Sequence, residues 1–482
     1  MHSAEDLVEH LERPLGYGHT PDGAITGAAG GAACGDVIRI SIAIDPACAD
    51  GRIVDVGFGA SGCGATVAAG SAAVGLLRGT PLLQAARIGA EAIAEELGGL
   101  SAGKRHAAEL AADALHRALG GAAREHAGLA PAPARVVVAM SGGVDSAVAA
   151  LLVAHGGAQV VGVTLELWSD SENDGEQSCC SAQAVRRARQ LAHGLGIPHL
   201  SIDLRAEFRD GVVDHWLDGH AAGLTPNPCV RCNGNVRLDA MLKLARRLGS
   251  ETLATGHYAR VTEGPLLRTA LDRGKDQSYV LSALPPESLA RLRFPLGQMH
   301  KPEVREIARK AGLAVARRRD SQDLCFLAGT RQAAFLERHA GLGNGAGAIV
   351  DREGRVLGEH PGAHGFTVGQ RRGLGIGSTD PLYVLGTDTH ANTVTVGPRR
   401  DLLVSGMAVR DATLHREGSC VDGVRVRSHG RTFSCRLEGD LNAGSHARVR
   451  VRLGEPVERT APGQLACMYA GDVVVGHGTV ST

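Results

Sequence analysis

The chain has 482 residues, 51 Lys and Arg against 51 Asp and Glu, and a hydrophobic share of 44%. That length predicts two to four domains with sizeable cores, while the 66 glycines follow no fixed period and so exclude a fibrous repeat. No apolar run reaches the roughly 18 residues of a membrane span, and zero net charge gives no global sign of a nucleic-acid partner, although residues 1–130 hold 9 basic against 15 acidic side chains and residues 131–400 hold 32 against 27.

In chain order, Met1–Pro14 is acidic and has no signal-peptide core, so a cytoplasmic protein with no membrane partner is expected. The 11 cysteines are then expected to be reduced, and to serve catalysis, persulfide carriage or metal binding rather than a disulfide framework. Val37–Ile44 and Ile53–Phe58 read as strands. Thr66–Leu77, Leu82–Leu97 and His106–Leu119 read as helices, so a small α+β domain is expected over residues 1–125. The AGLAPAPA stretch reads as a linker, placed at 126–134, and an acidic N-terminal part could fold back on the more basic remainder.

Strands and helices alternate beyond the linker. Val136–Met140, Val160–Leu167, His199–Leu204 and Thr252–Thr255 read as strands; Ala182–Leu195, Ala206–Ala222 and Val236–Leu248 read as helices. This is the pattern of a doubly wound α/β sheet, assigned to 135–335. From about 336 the pattern changes to short strands with Gly-rich turns, including a hairpin at Val350–Arg355. Residues 336–400 are assigned to a central domain. The alternation in Arg448-Val449-Arg450-Val451-Arg452 suggests a small β-barrel over 401–482.

Three strings carry chemistry. Ser141-Gly142-Gly143-Val144-Asp145-Ser146 joins a strand to a helix. A small-residue loop there aims backbone N–H groups and a helix N-terminus at an anion. It lacks the lysine of a Walker loop. Thr225-Pro226-Asn227-Pro228-Cys229-Val230-Arg231-Cys232-Asn233 sets a CxxC between prolines and a following helix, whose N-terminus can lower a thiol pKa. Cys325, in Asp320-Ser321-Gln322-Asp323-Leu324-Cys325-Phe326, follows Arg317-Arg318-Arg319, whose charge also favours thiolate. A closed zinc site would need a second CxxC, and none matches.

SGGVDS resembles the loop of the PP-loop ATP pyrophosphatases, of adenine nucleotide alpha hydrolase-like fold. Together with TPNPCVRCN, TGHYAR, KDQSYVL, FPLGQMHKPEVREIA, DSQDLCF and HGFTVGQRRGLGIG, in that order, it resembles the tRNA-specific 2-thiouridylases over about residues 134–482. The resemblance implies ATP-dependent sulfur insertion at C2 of the wobble uridine (U34) of tRNA. AMP transfer would make the C2 oxygen a leaving group, and a cysteine persulfide would deliver sulfur. It implies catalytic roles for Cys232 and Cys325. It implies ATP and Mg²⁺ binding by Ala139, Met140, Ser141, Gly142, Gly143, Val144, Asp145 and Ser146, with Leu165 and Gly256 at the base and sugar. It implies tRNA contacts by Asn227, Pro228, Cys229, His257, Lys275, Asp276, Gln277, Arg427, Ser428 and Gln464. The target base must be unstacked to expose C2, and the sulfur must come from a persulfide donor such as a cysteine desulfurase.

There are departures. Many family members have Asp at the position of Cys229, and here Cys229, Cys232 and Cys325 could instead hold a [4Fe–4S] cluster with one open iron. Ser428-His429 stands where Tyr-Arg is usual. Cys179-Cys180 is a further pair, read as structural. In the N-terminal domain, Cys34-Gly35-Asp36 and Ser61-Gly62-Cys63-Gly64 resemble the IscU/NifU iron–sulfur scaffolds. Cys34, Asp36, Cys63 and His106 are candidate ligands for a cluster or zinc, although Ala107 stands where that family has its third cysteine. A tether would raise the effective concentration of sulfur donor and acceptor. Two other functions compete: an amide- or amidine-forming PP-loop ligase, which would not need Cys232 and Cys325, and a non-enzymatic iron–sulfur carrier, which would not need an intact SGGVDS.

Overall fold

The computed structural model describes residues 4–30, 35–170, 181–320, 324–327, 329–343 and 345–481. Its N-terminal part is an antiparallel sheet of three strands, Ile25–Gly30, Val37–Ile44 and Ile53–Ser61, in that order. Ile38, Ile40 and Ile42 recur at period two and are fully buried, each contributing about 1.5–3 kcal/mol of burial free energy. Helices Gly64–Leu77 and Arg105–Glu125 pack on this sheet. Helix Ala4–Glu12 and strand Ile25–Gly30 lie outside the sequence expectation; the strand is Gly- and Ala-rich and has little of the usual strand signature. The helix expected over Leu82–Leu97 is two, Leu82–Ala85 and Ala90–Glu96. Gly89 between them is extended (φ −109°, ψ −177°).

Helix Arg105–Glu125 is the hinge-pin of the architecture. It runs past the expected end at Leu119 and packs both on the N-terminal sheet and on strand His199–Asp203 of the next domain. Its many buried alanines make it thin enough to lie between two sheets. Gly120 is required at the crossing, because a Cβ there would sit 1.8 Å from the Ser201 carbonyl oxygen. The expected linker is likewise no loose tether. Ala127 and Leu129 are buried; Leu129 N–H donates to Arg247 O (2.9 Å), Ala130 N–H to Ala49 O (2.8 Å) and Ala132 N–H to Gly249 O (2.9 Å).

The second domain is a five-stranded parallel sheet in the order Leu292–Arg293, Thr252–Thr255, Arg135–Ala139, Gln159–Glu166, His199–Asp203. From Arg135–Ala139 the chain winds first to one side, then returns to the other. The loop after Arg135–Ala139 therefore lies at the topological switch point, where ligands bind in such sheets. The helix expected at 206–222 is a run over 205–221 with a π-type turn at Arg209–Asp214, and the one expected at 236–248 belongs to a longer run from Pro228 to Arg247 with a π-type turn at Cys232–Arg237.

The central domain is a four-stranded sheet, Val356–His360, Gly347–Val350, Thr393–Pro398, Leu382–Asp388, and contains the expected hairpin. Last comes a closed barrel of six strands: Leu403–Leu414, Gly444–Glu458, Phe433–Leu437, Gly423–Arg425, Leu465–Ala470 and Val473–Ser481, closed where the first pairs with the last. Val449 and Val451 face its core. Two short strands of the second domain, Ala259–Val261 and Leu267–Thr269, extend this sheet through Arg268↔Val473. Among the described residues no helix is long and apolar enough to cross a membrane.

Candidate active site and a candidate metal site

SGGVDS closes on itself. Ser146 Oγ accepts from Ser141 N–H (3.1 Å) and donates to the Gly143 carbonyl (3.2 Å), and Gly143 caps helix Val144–His155. Gly142 takes a left-handed φ of +68°, and a Cβ there would meet the Ala184 carbonyl oxygen at 2.7 Å. The loop thus rests directly on helix Ala182–Gly194, whose Arg187 donates to the Gly142 carbonyl (3.1 Å). A cleft of about 630 Å³ opens over it.

The cleft joins residues from distant segments. Ala139, Ser141–Ser146, Gly256, His257, Lys275 and Gln277 line it, as do Arg237, Tyr258, Arg318, Arg319, Asp320 and His429. His429 comes from the barrel domain, which therefore reaches the cleft over the nucleotide-type loop. At the floor, the Lys301 ammonium lies 2.7 Å from both Asp145 oxygens and 2.9 Å from Asp320. Tyr258 donates to Asp145 (3.0 Å); Lys275 and Arg305 each reach Asp320 at 2.8 Å. Burial would raise the Asp320 carboxyl, but hydrogen bonds from Lys275 and Lys301 outweigh it and hold it below the usual carboxylate range. Burial and then Arg237 push His257 down to about 3, so it is neutral at physiological pH; its Nδ1 lies 2.8 Å from Thr255 Oγ1.

The TPNPCVRCN segment is seated on the barrel. Thr225 N–H donates to Pro462 O (2.8 Å), and Gln464 Nε2 to Thr225 O (2.8 Å). Asn227 caps the helical turn at Pro228–Arg231 by accepting from Cys229 and Val230 N–H. Pro228 is buried and Cys229 half-buried. Cys232 lies in the cluster of buried apolar residues that includes Trp216 and Phe326, and Cys325 packs against that same cluster. Ser321, Gln322 and Asp323 of the Cys325 motif lie outside the described residues, as do Cys34 and Cys179-Cys180.

Three expected positions need correction. Asp276 is not presented to a surface ligand: it is 3% exposed, accepts from Ala270 N–H and Ser278, and pairs with Arg425 of the barrel at 2.7 Å. The side chains of Met140 and Leu165 are buried in apolar clusters and do not line the cleft; any nucleotide contact there falls to the backbone. Gln277 lines the cleft but also clamps Tyr258 through both of its peptide groups (2.9 and 2.8 Å). Arg427 is exposed and Ser428 half-buried. The sequence reading missed Lys301, Tyr258 and Arg305. Lys301 had one signal: a lysine at the first position of a helix opposes the dipole, and wants an anionic partner.

In the N-terminal domain, one ligand atom from each of Asp36, Cys63 and His106 lies within 4.8 Å of the others, and this is the only such trio of metal-ligating side chains found among the described residues. Asp36 accepts from Thr66 Oγ1 (2.7 Å) and Cys63 N–H (3.2 Å). The Thr66 hydrogen bond above all holds its carboxyl low. His106 Nε2 is buried and faces Asp36 at 3.4 Å, and this contact also helps hold the carboxyl low. A buried imidazole nitrogen beside a carboxylate and a thiol is a donor set that fits a single zinc-type ion. Buried Ala107 stands where a further thiol would be, so any cluster here would need oxygen or nitrogen ligands beside sulfur.

Family models match four consecutive stretches: a NifU-like N terminal domain at 3–125, a tRNA methyl transferase HUP domain at 134–329, a tRNA methyl transferase PRC-barrel domain at 333–398 and an aminomethyltransferase beta-barrel domain at 407–480. The bifunctional protein NifU/MnmA of Rubrobacter xylanophilus is 46% identical over 98% of this chain and 98% of its own length. The chain belongs to the bifunctional NifU/MnmA family. Shorter relatives lack the first domain of this family: the tRNA-specific 2-thiouridylases MnmA of Geobacter metallireducens and Sorangium cellulosum are each 44% identical over 72% of this chain, and over 96% and 92% of their own lengths. A NifU/MnmA chain is thus a 2-thiouridylase-like body with a scaffold-like domain packed against the edge of its parallel sheet.

Proposed function

We propose that this chain is an ATP-dependent tRNA 2-thiouridylase acting on the wobble uridine. The observation that carries the reading is a cationic cleft over the SGGVDS loop, in a chain that also holds Cys232 and Cys325 and whose relatives carry that activity in their names.

In this reading the loop N–H groups and the helix Val144–His155 N-terminus hold the phosphates of ATP, with Lys275, Arg318 and Arg319 countering their charge. The uracil C2 oxygen attacks the α-phosphorus, and pyrophosphate leaves. The terminal sulfur of a Cys325 persulfide then attacks C2 as AMP departs. The Cys232 thiolate attacks Cys325 Sγ, which frees the sulfur on C2 and leaves a Cys232–Cys325 disulfide for an external thiol to reduce. The persulfide comes from a donor protein such as a cysteine desulfurase. Asn227, Pro228 and Cys229 present the flipped base. His257, Lys275, Gln277, Arg427, Ser428 and Gln464 contact or support the RNA. The catalytic domain is 135–335; the central (336–400) and barrel (401–482) domains grip the tRNA, and the work is cytoplasmic. Both Asp145 oxygens bind Lys301, so a magnesium ion would have to displace that ammonium group to reach the Asp145 carboxylate.

Asp36, Cys63 and His106, with Cys34, would hold a metal in the N-terminal domain, where it would order the loops around it. The test of the function is direct: purified protein, ATP, a persulfide donor and unmodified tRNA should yield 2-thiouridine by nucleoside mass spectrometry. Absence of 2-thiouridine under these conditions, with the adenylyl group passed to another acceptor and pyrophosphate released, would favour the ligase reading.

A further inference from the structure

Helix Ala182–Gly194 is held from two domains. On the catalytic side, Arg187 Nε donates to the Gly142 carbonyl of the nucleotide-type loop (3.1 Å), and the helix's first turn sits against Gly142. On the other side, its neighbours Arg186 and Arg189 both donate to Asp113, each at 2.7 Å and each to a different oxygen. Asp113 belongs to the N-terminal domain, on helix Arg105–Glu125. Arg189 is 4% exposed and Asp113 9%.

A buried carboxylate shared by two guanidinium groups adds little net stability over an apolar contact, but its charged hydrogen bonds are directional and fix register. With both oxygens engaged, helix Ala182–Gly194 cannot slide or roll without breaking one of them. Arg187 lies between the two residues so fixed. A second contact holds the same rim: Arg117, one turn beyond Asp113, pairs with both oxygens of Glu166 (3.0 and 2.9 Å) at the end of strand Gln159–Glu166.

We propose that Asp113 of the scaffold-like domain is a positioning residue for the nucleotide loop, acting through Arg186, Arg189 and the Arg187–Gly142 hydrogen bond. The domain then does more than carry a metal or sulfur: it sets the shape of the ATP site from outside the catalytic domain. This rests on the reading of Ser141–Ser146 as an ATP loop.

The test is equilibrium titration of the full-length chain with a non-hydrolysable ATP analogue, beside steady-state thiolation. Asp113→Asn and Arg187→Met should each weaken analogue binding about three- to tenfold, and raise KM for ATP with kcat little changed. Because they act on one hydrogen bond, the double variant should be no weaker than the worse single one. Asp113→Glu should recover part of the loss. Arg124→Ala, which breaks the exposed Arg124–Glu207 pair between the same domains, should leave the affinity unchanged. Should Asp113→Asn fail to fold, Arg186→Met, which keeps the buried Arg189–Asp113 bond, carries the same expectation. Wild-type affinity in these variants, or strictly multiplied losses in the double variant, would overturn the proposal. No binding by the wild type would instead overturn the ATP reading, and the proposal with it.

Discussion

Lys301 joins Asp145 to Asp320: one ammonium group, 8% exposed, lies 2.7 Å from the first carboxylate and 2.9 Å from the second. Asp145 belongs to the nucleotide-type loop, and Asp320 begins the motif that carries Cys325. Without the cation two carboxylates would face the cleft floor together. Lys301→Met should destabilise the chain by about 1–3 kcal/mol, since Asp320 keeps Lys275 and Arg305 and Asp145 keeps the Tyr258 hydrogen bond, and should abolish ATP-dependent activity. Chemical denaturation checks the first, and AMP release the second. The Asp320 carboxyl is held low, so its contribution to stability is present at neutral pH and is lost as pH falls through its lowered pKa. A stability–pH profile of Asp320→Asn should lack that acid-side loss.

Thiol chemistry separates the cysteines. Burial pushes Cys435 and Cys467 up to about 12, so both keep their protons at pH 7–9 and are poor nucleophiles there. Iodoacetamide labelling of the native protein at pH 8, mapped by peptide mass spectrometry, should leave both unmodified. Cys232→Ser and Cys325→Ser should each abolish 2-thiouridine formation while leaving analogue binding intact. Thiolation retained by either would remove that residue from the mechanism.

Asp276 is the anchor between catalytic domain and barrel through Arg425. Asp276→Ala leaves a guanidinium group only 11% exposed without its carboxylate, and should cost about 3–5 kcal/mol. The expected sign is a lowered melting temperature with tRNA affinity falling only as the fold is lost. A stable variant with weakened tRNA binding would restore Asp276 as an RNA contact.

The N-terminal site should take one zinc ion per chain. Asp36→Ala, Cys63→Ser and His106→Ala should each lower the metal content measured by mass spectrometry of the dialysed protein. Anaerobic preparation with stoichiometric iron and sulfide that survives Cys63→Ser would instead place a cluster at Cys229, Cys232 and Cys325.

Much of this was legible because it is local. SGGVDS, the CxxC segment and DSQDLCF are contiguous strings with fixed chemistry, and the period-two isoleucines announce their strand. The charge asymmetry between residues 1–130 and the remainder was also informative, since Asp113 meets Arg186 and Arg189 across the domain boundary. What escaped was non-local. Nothing in AGLAPAPA says that its backbone will pair with Ala49, Arg247 and Gly249. Asp276 stands in a motif like its neighbours Lys275 and Gln277, and only the barrel's Arg425 decides that it is buried. Helix Arg105–Glu125 serves two sheets, and an alanine-rich pattern does not tell one buried face from two.

The central claim is that sulfur passes through Cys325 to an ATP-activated base. Chain loaded with ³⁵S-persulfide, freed of donor and mapped by peptide digestion, tests it in a single turnover. The label should reside on the Cys325 peptide, and should move to tRNA only when ATP is present. Label that stays on the protein with ATP and tRNA added, or reaches tRNA without ATP, would contradict it.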